Sequence, residues 1–167
     1  MLQTQPSSSS RGRTIGSGFI AVAVVAGALL LGQIATFPNL PWYAGLTKPS
    51  FNPPNWLFGP VWTTLYALMA FAAWRIMRPP AAVPGRSLAL ALFFIQLALN
   101  AAWSWMFFWA HNPALGLLNI IPQLLLVVAT AVAFYRIDRL AGACLVPLIA
   151  WVAFAAVLNF SIWRLNG

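Results

Sequence analysis

Acidic residues are almost missing from this chain: Asp138 stands alone, and glutamate is absent from all 167 residues. Catalysis by paired carboxylates is therefore excluded. His111 is the only histidine, and in the topology derived below it lies at the opposite membrane face from Asp138. That separation removes hydrolase triads. One histidine, one cysteine (Cys144) and one aspartate, all far apart, cannot converge on a metal, so no metal and no resident cofactor are expected. A single cysteine forms no internal disulfide and reads as a small apolar group. Charge of either sign is scarce, at 6% of residues, where a soluble domain carries about 25%. Ten charges cannot coat a particle of this size in water. The nine cations give a formal net charge of +8. They are scattered rather than gathered into a basic stripe, so nucleic acid is not an expected partner.

What is present is apolar: 62% of the residues are hydrophobic. A membrane-spanning helix needs about 20 such residues in a row, and five stretches qualify, near 18–37, 57–77, 87–109, 113–135 and 140–163. Continuous apolar runs, without the alternation of barrel strands, predict an all-α integral membrane protein, a bundle of five transmembrane helices. The uncharged stretch 87–135 is too long for one span, and His111-Asn112-Pro113 divides it. Pro79-Pro80-Ala81-Ala82 and Ile137-Asp138-Arg139-Leu140 make other breaks. Residues 1–14 read as a disordered polar tail and 15–167 as one domain. The first span could be a cleaved leader, but Gln33-Ile34-Ala35 puts glutamine where a cleavage site prefers a small residue. The loop Pro38–Trp56 carries five prolines and is expected to be stiff.

Five spans put the ends of the chain on opposite sides. Arg11, Arg13, Arg75, Arg78, Arg86, Arg136 and Arg139 share one side, and Lys48 and Arg164 the other. The asymmetry predicts a cytoplasmic N-terminus, with the C-terminus and the Pro38–Trp56 loop outside. Most tryptophans then fall in the outer half (Trp42, Trp56, Trp62, Trp103, Trp105, Trp109, Trp163), with Trp151 mid-span and Trp74 toward the inside. Gln33, Asn100, Asn119 and Asn159 lie in the same half, and Gln96 and Gln123 nearer the middle. An interfacial belt would populate both surfaces. Helical spacing makes stripes of Gln96, Asn100, Trp103 and Phe107, of Phe58, Trp62 and Tyr66, and of Trp151, Ala155, Leu158 and Asn159, the last just past Pro147, a proline expected to kink the fifth helix. Amides are costly against lipid, so these stripes should face inward and line an aromatic cavity for a flat hydrophobic ligand.

Trp42-Tyr43, Leu46, Lys48-Pro49, Pro53-Pro54, Phe58, Trp62 and Tyr66 resemble the first-loop signature of the translocator protein family (TspO, the peripheral-type benzodiazepine receptors). The third and fifth spans resemble that family's too, through Gln96, Asn100, Trp103 and Phe107-Phe108 and through Leu145, Pro147, Trp151, Phe154-Ala155, Leu158-Asn159 and Trp163-Arg164. The resemblance implies a five-helix bundle, commonly dimeric, with its first loop lidding a cavity. It implies porphyrins, sterols and synthetic isoquinoline or benzodiazepine compounds as ligands rather than cofactors. Carried over by position, the site comprises Trp42, Tyr43, Trp62, Asn100, Trp103, Trp151, Ala155 and Leu158, and the stripes add Tyr66 and Phe107. The family's usual Pro-Tyr is Pro147-Leu148 here. The tyrosine of its mammalian steroid-recognition pattern is Phe160, which leaves that pattern incomplete.

The expected function is a membrane binding protein or carrier for porphyrins and similar flat apolar ligands. The alternatives are a photo-oxidative porphyrin-degrading enzyme using Trp62 and Trp151, and a regulator without transport of its own. Lys48 and Arg164 are candidate contacts for porphyrin propionates. His111 reads as a polar turn residue, with an axial haem ligand as the alternative. Ala23-Gly27 and Ala28-Gly32 on the first helix, with Ala150, Ala153 and Ala156 on the fifth, suit close helix approach in a homodimer.

Overall fold

The computed structural model describes residues 8–78 and 83–167. Among them there is no strand, and five helices are long and apolar enough to cross a membrane. The first, α1 (Ser8–Thr36), leads through a 3-10 turn at Phe37–Asn39 into a short helix, α2 (Leu40–Gly45). The second span is α3 (Asn55–Met77) and the third α4 (Arg86–Ser104), prolonged by a wider turn at Trp105–Trp109. The fourth is α5 (Pro113–Ile137), and the fifth is built from α6 (Arg139–Ala143) and α7 (Val146–Asn166). In lipid every backbone donor must be satisfied within its own segment, and continuous helices do this.

Of the expected tail, residues 1–7 lie outside the described residues, and from Ser8 onward the chain is already helical. Extending a helix that exists costs far less than starting one, and the Trp74 indole donates to the Thr14 carbonyl at 3.1 Å, tying this stretch to α3. The expected break at Pro79-Pro80-Ala81-Ala82 also lies outside the described residues. The stiff first loop is partly helical, because Pro38 and Pro41 stand in the first turns of the 3-10 segment and of α2, where a missing N–H costs nothing. Pro147 sits in the first turn of α7, and with no N–H to return to the Ala143 carbonyl it interrupts the fifth span as expected. The interruption falls at Cys144–Leu145, between α6 and α7, and the prolines inside helices are Pro60 and Pro122. The third-to-fourth turn falls as expected: His111 adopts φ 50°, and the Asn112 side chain caps α5 by accepting from the Leu115 N–H at 3.1 Å.

The spans form a ring in which α1 packs on α3 and α4, α4 on α5, and α5 on α7. The end carrying α2 and His111 is called here the lid end, and the opposite end, carrying Arg75 and Asp138, the far end. At the far end Phe93 and Phe134 stack at 5.6 Å, both fully buried. The Asp138 carboxylate caps α6 through the Leu140 and Ala141 N–H groups and pairs with Arg75 at 2.7 Å. Gly142 is required here, since a Cβ on it would lie 2.6 Å from the Tyr135 backbone nitrogen. Of the small pairs on α1, Ala28 and Gly32 turn into the bundle, Gly32 against Ser104, whereas Ala23 is exposed and Gly27 meets nothing.

Candidate functional site

Toward the lid end the bundle hollows into a cavity of about 460 Å³ bounded by α1, α2, α3, α4, α5 and α7. That volume lies within the ~300–1,000 Å³ usual for small-molecule sites. Tyr43, Trp62, Tyr66, Asn100, Trp103, Phe107, Trp151, Ala155 and Leu158 all line it. Nine of the ten site positions are thus brought together, and of the remaining stripe residues Phe58 and Asn159 join them, whereas Gln96 is buried away from the cavity with its Nε2 on Met69 Sδ at 3.8 Å. Trp42 is the tenth and stands behind the wall: its ring meets the Phe107 edge at 5.6 Å and stacks on His111 at 4.6 Å. His111 also bonds Asn39 through Nε2 at 2.8 Å, so it fastens the lid to the α4–α5 turn.

The aromatic wall is built from groups of touching rings. Trp62 lies 5.8 Å from Tyr66, Trp103 stacks on Phe107 at 4.9 Å, and Tyr43 leans on Phe108 at 5.6 Å. Phe58 meets Trp151 edge-to-face at 5.8 Å. Both Phe107 and Phe108 face inward, 1% and 9% exposed, while Trp105 and Trp109 face out at 37% and 57%. Two neighbouring phenylalanines share a face because the helix widens there: Ala110 N–H reaches the Trp105 carbonyl and Asn112 N–H the Phe107 carbonyl, each five residues back. Such turns are frequent at functional sites, and nothing in the stripe arithmetic announces this one.

Paired polar groups are built into the wall, and Gln33, Asn55, Ser104 and Gln123 also line the cavity. Tyr66 donates its hydroxyl to Asn100 Oδ1 at 2.7 Å. Trp103 donates to Asn159 Oδ1 at 3.1 Å, and Asn159 Nδ2 donates to the Pro113 carbonyl at 2.7 Å. This chain locks α4, α5 and α7 together. Gly116 leaves room for it, since a Cβ there would lie 2.7 Å from Asn159 Oδ1. Asn100 Nδ2 has no partner.

Lys48 and Arg164 do not line the cavity. The Lys48 ammonium donates to the Ala44 and Leu46 carbonyls at 3.1 and 3.0 Å and lies 4.7 Å over the Tyr43 ring. The end of α2 offers unpaired carbonyls, and the nearest cation takes them. Arg164 is exposed in the last turn of α7. The lid is further held by Thr47 and Asn166, which exchange two hydrogen bonds of 2.9 Å. The sequence reading missed the α1 side of the wall, where Gly32, Gln33 and Thr36 contribute. A glycine and a glutamine within an apolar span were the available signal. No cluster of histidine, cysteine or acidic side chains able to hold a metal occurs among the described residues.

Compared with known proteins, residues 19–164 match the model of the TspO/MBR family. Protein CrtK of Rhodobacter capsulatus is 42% identical over 146 residues, covering 87% of this chain and 91% of the relative. The translocator protein of Sus scrofa is 39% identical over 84% of this chain and 83% of its own length. The tryptophan-rich protein TspO of Archaeoglobus fulgidus is 44% identical, with 75% and 80% covered.

Proposed function

The chain belongs to the TspO/MBR family of membrane proteins, and from that premise we propose that it binds or carries porphyrins and similar flat hydrophobic ligands in the lid-end cavity. The observation that carries this reading is the wall itself: indole, phenol and phenyl rings from four helices around about 460 Å³. Each ring face stacked on a planar ligand contributes about 0.5–1.5 kcal/mol beyond burial. The unpartnered Asn100 Nδ2 offers one hydrogen bond to a ligand oxygen, which fits a molecule with an apolar plane and a carboxylate or carbonyl. Titration of the purified protein with protoporphyrin IX in darkness tests it. Saturable quenching of tryptophan fluorescence is expected, and quenching that rises without saturation refutes the reading.

A second reading, light-driven degradation of the same ligand, is favoured by one specific observation: Trp62 and Trp151 both line the cavity, so two oxidisable indoles would flank the pigment. Repeating the titration under illumination separates the two, since only the enzyme loses pigment faster than a protein-free control. The reading also includes a cytoplasmic N-terminus, supported by the cation asymmetry, so reporters fused at the two ends should report opposite sides. It includes a homodimer through the Ala23–Gly27 face of α1, where Ala23 is exposed and the half-buried Gly27 meets nothing. A dimeric mass in nanodiscs is expected, and bulky substitution of Gly27 should reduce it.

A further inference from the structure

The ring of spans has one seam that is not packed. α3 and α7 hardly touch, and a groove of about 510 Å³ lies between them. Its walls are apolar: Pro60, Val61 and Thr64 on α3, and Pro147, Ala150 and Trp151 on α7. The Thr64 hydroxyl is spent on the Pro60 carbonyl at 2.9 Å, so it offers lipid no free donor. No hydrogen bond or ion pair among the described residues joins α3 to α7, although α3 is anchored at the far end to α6 through Arg75 and Asp138. The seam is thus pinned at one end only. Pro60 also removes a rung from the hydrogen-bond ladder of α3 at this height.

Trp151 lines both the groove and the cavity, so one indole stands between the lipid-side groove and the ligand site. Phe58 touches that indole edge-to-face at 5.8 Å from across the seam. An aromatic contact has no hydrogen bond to break, and side-chain rotation of this kind is fast beside domain motion. The lid route is the more heavily fastened one, by the Thr47–Asn166 pair, the His111–Asn39 bond and the Trp42–His111 stack.

We propose that the seam between α3 and α7 is the lateral portal through which the flat hydrophobic ligand enters from the bilayer, with Trp151, leaning on Phe58, as its gate. The inference rests on the binding function proposed above. A molecule of that class is already concentrated among acyl chains, and a lateral route spares it from crossing water and displacing the lid.

The test bridges the seam reversibly. In a Cys144→Ser background, Thr64→Cys and Ala150→Cys place thiols on the two walls of the groove, where both positions are exposed. A short bis-methanethiosulfonate spacer joins them, and reductant releases them. Protoporphyrin IX binding is followed in nanodiscs by stopped-flow tryptophan quenching. A gate sets rates without setting affinity, so the bridge should slow both association and dissociation at least about tenfold, with Kd unchanged and full recovery on reduction. A disulfide between Thr47→Cys and Asn166→Cys, clamping the lid, should leave the rates alone. The portal is overturned if the bridged seam binds at the unbridged rate, if the lid clamp is what slows binding, or if the bridge changes Kd while arrival stays fast. Absence of quenching in the unbridged protein would instead overturn the binding function itself, and the portal with it.

Discussion

The two ends of this bundle are held together by different physics. At the far end, small and aliphatic side chains are buried around the Phe93–Phe134 stack, and the chain's single acidic side chain is committed to Arg75 and to two backbone N–H groups. At the lid end, rings lean on rings around the cavity, and hydrogen bonds fasten the rim and the helix corners. Tight packing resists any added atom, whereas a cavity walled by aromatics tolerates exchange of one ring for another. Lipid supplies no hydrophobic drive between helices, so close approach and polar contacts carry the far end. The lid end is thereby free to hold a guest.

The largest effect should come from filling the far end. At Gly142 an added Cβ would lie 2.5 Å from Tyr135 Cβ and 2.6 Å from its backbone nitrogen, atoms that cannot swing away. Gly142→Ala should cost at least about 3 kcal/mol, the upper range for overpacking. The measurement is thermal unfolding in mild detergent, with Gly16→Ala, whose Cβ meets nothing, as a neutral or slightly stabilising control. If both variants melt like the parent, the far end is not the rigid half.

An intermediate effect is expected at Asp138. Burial alone would raise its carboxyl, but the hydrogen bonds from Arg75 and from the Ala141 and Leu140 N–H groups, together with the guanidinium charge, hold it below the usual carboxylate range. A carboxyl with a lowered folded value contributes stability above its unfolded pKa of about 4, and loses it as pH falls through the folded value. The parent should therefore weaken in acid below about pH 4, whereas Asp138→Asn should start about 1–2 kcal/mol less stable and stay flat across that window. Ligand affinity at neutral pH should not move. An affinity change equal to that at the cavity wall would mean that the two ends are coupled.

Much of this contrast could be read from residues alone, and the exceptions have physical causes. Spans, the His111-Asn112-Pro113 break and the cavity stripes follow from periodicity and from the cost of amides in lipid, which act within one helix. The widened turn at Trp105–Trp109 and the α1 wall depend on what other helices press against, and no local pattern encodes that, whereas the break at Cys144–Leu145 follows from Pro147. Lys48 shows the same limit: its charge was legible, but its capture by the Ala44 and Leu46 carbonyls required knowing that α2 ends there.

The smallest effect should come from exchanging rings at the lid end. Among the described residues the indole N–H groups of Trp62 and Trp151 make no hydrogen bond, so phenylalanine at either position keeps a stacking face and orphans nothing. Trp62→Phe and Trp151→Phe should each weaken protoporphyrin IX binding by well under ~100-fold, because one stacked pair contributes only about 0.5–1.5 kcal/mol. Trp74→Phe is the control from the far end: that indole donates to the Thr14 carbonyl and lies 5.0 Å beneath the Arg78 guanidinium, remote from the cavity. It should lower stability slightly and leave binding untouched. Illumination adds a second axis, because phenylalanine preserves the pocket but removes the oxidisable ring. In a light-driven enzyme the Trp62→Phe/Trp151→Phe double variant should stop losing pigment while still binding it; in a carrier it should differ from the parent in affinity alone. Trp74→Phe weakening binding as much as Trp62→Phe would place the ligand at the wrong end of the bundle and dissolve the contrast between its halves.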